Sequence, residues 1–201
     1  MSILILIDGQ AVDLVAGAAR LVGAARQLGD DITLFIAGVA TQEQAAPLAV
    51  LEGIREVIWC GLPATGEGGV PVEDLAHGVV SMAGEYTHIL AAASTFGAER
   101  IPRIASQLGV APVTGVVEIR AADTFVRPIH AGALLSLVRL HASPVLLTVQ
   151  PWAFAPVATG DSAVTVGREV VLPRLGLSVW GGRMAVSRQG GNGDLDTARV
   201  V

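Results

Sequence analysis

A mostly parallel, Rossmann-like doubly wound α/β sheet with a small antiparallel β addition in its second half is the fold class that this sequence predicts. Three observations carry it. In the first half, apolar runs without polar alternation are each followed by a short turn and a helix-period stripe. Strands covered on both faces and joined by helical crossovers read that way. From Val113 to Val149 no helix-length periodicity remains, and short β-prone runs alternate with turn signals. The 201 residues, 52% apolar and 15% charged, are enough for one substantial core.

Residues 3–7 are the first buried strand, and Asp8-Gly9-Gln10 turns out of it. A first helix places Leu14, Ala18, Leu21, Ala25 and Leu28 on one stripe, with Asp13, Arg20 and Gln27 opposite. Gly29 stands where a left-handed cap would end that helix. Residues 32–37 form the second strand, 43–51 a short second helix and 56–60 the third strand. A Gly- and Pro-rich loop over 62–72 leads to a third helix over about 73–84. The run from His88 to Ala93 reads as a fourth strand and Ser94-Thr95-Phe96-Gly97 as a turn. Ile101, Ile104, Ala105 and Leu108 then form the buried face of a fourth helix. That turn falls at the carboxyl edge of the sheet, where open α/β folds place ligands or partners.

Beyond it, residues 113–119, 124–130, 133–140 and 145–149 read as hairpin strands, with one segment returning to the parallel sheet. Pro128 predicts an edge or bulge position, because proline has no N–H for a central ladder. Residues 151–173 are loop-rich, with 163–166 and 169–172 as short strands, and 177–187 form another strand interrupted at Gly181-Gly182. Residues 1–187 are therefore expected to be one α/β domain. Residues 188–201 read as a linker and the first strand of a further domain that this chain lacks.

Composition removes several function classes. No apolar run reaches the ~18 residues of a membrane span, so membrane insertion is not expected, and the N-terminal run lacks the flanks of a signal peptide. The net charge is -5 and the chain contains no lysine, which argues against a nucleic-acid surface. Cys60 is alone, so no disulfide framework or thiolate metal site is expected; a reducing, cytoplasmic location fits.

No catalytic constellation emerges, and neither a catalytic nor a metal-ligating residue is assigned. His77, His88, His130 and His141 share no metal-ligand spacing and read as structural or surface residues. Gly66-Glu67-Gly68-Gly69 does not have phosphate-loop spacing. Ser94 and Thr95 have no nucleophile elbow around them and read as caps of the helix that follows. Asp8 and Gly9 are candidates for nucleotide contact at the sheet edge, with a plain turn as the alternative. Arg127, among apolar neighbours, calls for an ion pair with Asp123 or Glu118, with an interface contact as the sharper reading.

Three segments together resemble electron transfer flavoprotein alpha subunits. Ser94-Thr95-Phe96-Gly97 with Ile101-Pro102-Arg103 resembles that family's Thr-Phe-Gly…Leu-Pro-Arg stretch. The run from Ala122 to Gly132 is similar to Asp-Thr-Phe-Val-Arg-Pro-Ile-Tyr-Ala-Gly. Leu147-Thr148-Val149-Gln150-Pro151, with Ala153-Phe154, is similar to Thr-Val-Arg-Pro-x-Ala-Phe. The resemblance implies an adenine nucleotide alpha hydrolase-like fold and a role as a scaffold, not an enzyme. That scaffold pairs with a beta-type subunit in FAD-mediated electron transfer from dehydrogenases to a quinone reductase or another acceptor. It implies FAD in the complete complex, not held by this chain alone, and AMP through the partner subunit. The expected partner or interdomain surface is Ser94, Thr95, Phe96, Gly97, Arg127, His130 and Gly132. His130, Ala133 and Gln150 replace the family's Tyr, Asn and Arg, and Trp152 takes a commonly small polar position, so an altered interface is expected. A stand-alone adenine-nucleotide-binding module and a diverged non-redox interaction protein are the alternatives.

Overall fold

The computed structural model describes residues 1–39, 41–61, 69–160 and 166–178. In chain order the first half contains β1 (Ser2–Asp8), α1 (Leu14–Ala25), β2 (Asp31–Ala37), α2 (Gln42–Ala45), β3 (Glu56–Cys60), α3 (Val72–Met82), β4 (His88–Ala92) and α4 (Thr95–Leu108). The second half contains β5 (Val113–Val116), β6 (Glu118–Ala121), β7 (Thr124–Ile129), β8 (Leu134–Arg139), β9 (Val145–Val149) and β10 (Val166–Glu169). Seven strands form one sheet in the order β10-β3-β2-β1-β4-β9-β5, and every neighbouring pair is parallel. The remaining three form an antiparallel sheet in the order β6-β7-β8.

The apolar runs lack alternation because both faces of the sheet are covered. Ile3, Ile5, Ile32, Leu34, Val57 and Trp59 pack with Ala18, Leu21, Val22 and Ala25 of α1 on one face. Leu4, Leu6, Phe35, Ile58 and Ile89 pack with Leu75 and Val79 of α3 and Ile101 and Ile104 of α4 on the other. The chain runs outward through β1, β2 and β3, then crosses back beneath the sheet through α3 to place β4 on the other side of β1. β1 and β4 therefore flank the topological switch point, where the carboxyl ends of adjacent strands diverge and leave a crevice.

Several local expectations change. Gly29 is not left-handed. α1 ends at Ala25, and a Cβ at Gly29 would lie 3.1 Å from the Met1 carbonyl oxygen, so the residue is small to let the N-terminus pass. The second helix is one turn of α followed by a 3₁₀ turn over Ala46–Leu48, because Pro47 has no N–H to continue the α ladder. Three segments of the second half join the parallel sheet, β5, β9 and β10, where one between Val113 and Val149 was expected. Pro128 lies in the middle strand of the antiparallel sheet, yet without ladder conflict: β6 pairs only as far as Val126, so Pro128 faces a partner on the β8 side alone. β10 overlaps the strands expected over 163–166 and 169–172 by one residue each, and residues 163–165 lie outside the described residues. Of the expected strand over 177–187, Leu177 and Ser178 are not in a strand; its remainder and residues 188–201 lie outside the described residues, as does the Gly66-Gly68 part of the glycine-rich loop.

Candidate functional site

Asp8 ends β1 and its Oδ1 accepts from the Gln10 N–H at 3.0 Å, closing the turn that leads into α1. Gly9 is fixed by close approach. A Cβ there would sit 2.7 Å from Val39 Cγ1 and 2.8 Å from the Ala37 carbonyl oxygen, to which Gly9 N donates. Its role is therefore packing of the β1 turn on the end of β2. Across the switch point, Ser94 and Thr95 are exposed while Phe96 and Gly97 are buried. The expected four-residue turn is shorter than the sequence implied, since α4 begins at Thr95. Ser94 occupies the N-cap but makes no side-chain capping bond. The helix start is held instead by Ala93 N, which donates to Val149 O at 2.7 Å, and by Gly97, where a Cβ would overlap the Ala92 carbonyl.

Between these two turns lies a crevice of about 450 Å³, walled by Leu14, Ala18 and Leu21 of α1 on one side and by Ser94, Thr95 and Phe96 on the other. Asp8 and Asp13 also line it. A smaller recess of about 190 Å³ adjoins it through Asp8, Gln10, Thr95 and Phe96 and contains Arg100. The Arg100 guanidinium stacks 4.1 Å from the centroid of the Phe96 ring. Its NH1 donates to Phe96 O and Glu99 Oε2, and its NH2 donates to Val70 O at 3.0 Å, while its Nε is buried without a partner. Burial lowers its pKa, and the carboxylates of Glu99 and Asp8 oppose that shift. Arg100 was not singled out from sequence; the Phe96–Arg100 spacing of four residues on one helix was the available signal.

The antiparallel sheet carries the other candidates. β7 and β8 are joined by a tight turn in which Gly132 N donates to Ile129 O, with φ of +50° at His130, +52° at Ala131 and +88° at Gly132. Two left-handed central residues are the mark of a primed hairpin turn. Arg127 does not form the expected ion pair. Asp123 is held by Arg139 Nε at 2.6 Å, and Glu118 by Arg120 Nε at 2.9 Å. The reason is geometric: four strand residues span about 13 Å, which removes Asp123, and Glu118 lies opposite Val126, on the other face from Arg127. Arg127 Nε is buried without a partner. The Thr124 hydroxyl and then Arg139 keep the Asp123 carboxyl below its usual range. Sequence reasoning missed the exposure of Leu134, Leu135 and Leu137 on β8 (56%, 69% and 59%). Apolar residues at adjacent positions of a hairpin with only one buried face were the signal, since alternation sends neighbours to opposite faces.

Among the other sequence candidates, His88 is buried and bonds to Thr87 Oγ1 and the Ala122 carbonyl. Cys60 is buried, and its thiol is pushed up to about 11, chiefly by burial. Among the described residues no cluster of three or more His, Cys, Asp or Glu is placed to hold a metal, and no helix is long and apolar enough to cross a membrane.

The sheet order, the switch-point crevice and the appended three-stranded sheet define a doubly wound α/β domain with a separate exposed hairpin. The chain belongs to the electron transfer flavoprotein domain family, whose model matches residues 4–171. It is 31% identical over 166 residues to the electron transfer flavoprotein subunit alpha of Pseudomonas aeruginosa, covering 83% of this chain and 53% of that protein. Against the subunit alpha of Paracoccus denitrificans it is 32% identical over 163 residues, covering 81% and 51%. The mitochondrial subunit alpha of Arabidopsis thaliana is 38% identical over 122 residues, covering 60% and 33%. The chain spans about half the length of the first two relatives and a third of the third.

Proposed function

We propose that this chain acts as the N-terminal domain of an electron transfer flavoprotein alpha-type subunit, a scaffold that docks a beta-type subunit beside a flavin. In that role the flavin supplies the redox chemistry, and the protein sets its distance and surroundings. The observation that carries the reading is the β7–β8 hairpin. Three leucines stand exposed on β8 beside the hairpin turn, an apolar surface of the kind that protein–protein contacts cover. His130 at the turn belongs to this docking surface, while Arg127, with its unpartnered Nε, pairs with Ser136 and offers a contact from the opposite face of the hairpin to Leu135 and Leu137. Ser94 and Thr95 are exposed at the sheet edge, while Phe96 and Gly97 support them from the core.

FAD does not fit the crevice in this chain. Asp8 and Asp13 oppose a dinucleotide pyrophosphate, so the flavin in this reading is held elsewhere in the complex, with residues 1–187 as scaffold and 188–201 as the link to a FAD domain. Dehydrogenases as donors, a quinone reductase as acceptor, AMP in the partner subunit and a cytoplasmic location belong to the same proposal. The relatives come from bacteria and from mitochondria.

Co-expression with the beta-type subunit of the same genome tests the reading. A one-to-one complex that is lost in a Leu135→Ser/Leu137→Ser variant supports it. A chain that stays monomeric beside the beta-type subunit, or that alone binds stoichiometric flavin by visible absorbance, overturns it.

A further inference from the structure

The two outer strands of the small sheet are built differently. β6 has four residues, of which Glu118 and Arg120 are charged, and its register with β7 shifts between Ile119 and Ala121. Short length, charge and irregular pairing keep an edge strand from pairing with another chain. β8 lacks these protections. Its six residues, Leu-Leu-Ser-Leu-Val-Arg, pair with β7 without a shift and contain no proline. Their one charge, Arg139, is tied to Asp123. Among the described residues no strand lies on the outer side of β8.

The backbone on that side is open. Leu140 N donates to Asp123 O, so in the alternation of an antiparallel ladder the N–H and C=O groups of Ser136 and Val138 face β7, and those of Leu135 and Leu137 face outward. The side chains beside them read alike in both directions. Leucine stands on each side of Ser136, and Leu134 is balanced by Val138. Two copies of β8 laid antiparallel about a two-fold axis at Ser136 therefore set Leu135 against Leu137 twice and Leu134 against Val138 twice. In that register Leu135 and Leu137 exchange the N–H···O bonds that their free edges offer. Arg139 falls opposite Ala133, so no like charges meet; an axis at Leu137 would instead set Arg139 against Leu135. We propose that β8 is a self-association edge, through which two copies of this chain join their small sheets into one. The contact is one strand wide and smaller than stable interfaces, so the dilute chain is monomeric. Leu135 and Leu137 also serve the docking surface proposed above, so self-pairing and the beta-type subunit exclude one another. That consequence rests on the docking reading; the self-pairing does not.

Sedimentation velocity of the full chain alone, from ~5 to ~500 µM, should show monomer passing to dimer. Leu137→Pro removes an outward N–H and no ladder bond to β7, so it should keep the parent's circular dichroism and weaken the dimer at least roughly tenfold. Ser136→Cys puts two thiols at a non-hydrogen-bonded pair with Cα atoms about 4.5 Å apart, within the span of a disulfide. Mild oxidation should then give a covalent dimer, with Cys60 buried and out of reach. Leu134→Cys, about 13 Å from its copy along the strand, should not crosslink. A chain that stays monomeric throughout, a dimer unaffected by Leu137→Pro, or equal crosslinking of the two cysteine variants each overturns the proposal and leaves the docking role untouched. A dimer that persists beside excess beta-type subunit supports the self-pairing and counts against docking at β8.

Discussion

His88 Nε2 lies 2.8 Å from the carbonyl oxygen of Ala122 and ties the start of β4 to the turn between β6 and β7. A carbonyl only accepts, so Nε2 carries the proton. In the neutral ring Nδ1 is then an acceptor 2.9 Å from Thr87 Oγ1, whose single hydroxyl proton is shared between Nδ1 and the Ser2 carbonyl oxygen at 3.0 Å. This buried imidazole links the parallel sheet to the appended one.

Burial lowers the His88 pKa below its ordinary 6.5. The unfolded chain therefore binds the proton first as pH falls. Stability from the neutral ring is complete above about pH 6.5 and declines below it, by up to about 1.4 kcal/mol per pH unit, until the folded group also titrates. Urea unfolding at pH 7.5 and 5.5 should show a steeper loss for the parent than for His88→Gln, which has no titrating ring. Parallel losses would refute this role.

Gly97 and Gly17 make opposite predictions for the same substitution. Gly97→Ala drives a methyl into the Ala92 carbonyl and should cost about 1–3 kcal/mol. Gly17→Ala meets open space in a helix and should stabilise by about 0.5–1 kcal/mol. Urea midpoints at constant m-value are the measurement, and shifts of the same sign in both variants would contradict the packing described.

The Cys60 thiol, raised to about 11 and buried in β3, should be inert in the folded chain. At pH 8 about one molecule in a thousand carries the thiolate. A colorimetric thiol reagent should register no cysteine under native conditions and one per chain in concentrated urea. Prompt native labelling would show that β3 opens.

Leu135→Ser and Leu137→Ser remove exposed side chains and should leave the stability of the isolated chain within about 0.5 kcal/mol. Phe125→Ala, on the buried face of the same small sheet, should cost about 3–5 kcal/mol. A large loss in the serine variants would mean that these leucines serve folding and not docking.

Much of the architecture was legible. Strands β3 and β9 match the expected residues, because a strand covered on both faces leaves an unbroken apolar run with turn residues at its ends. Asp8 and Ser94 were placed at the carboxyl edge by the same grammar. The partners of Arg127 were misread because sequence proximity does not measure distance along an extended strand. Gly29 was misread because a glycine needed for close approach looks identical to one needed for a left-handed cap.

By itself the sequence determined the two-faced parallel sheet, the change of grammar after Val113 and the family motifs. These rest on local periodicity and short-range turn chemistry, which each segment carries whatever surrounds it. Only the tertiary structure decided that Asp8 and Thr95 share a crevice, that Arg100 is stacked and buried, and that three leucines of β8 stay exposed. Those facts depend on strand order and on which face a neighbouring element covers, and both are settled by contacts between residues far apart in the chain.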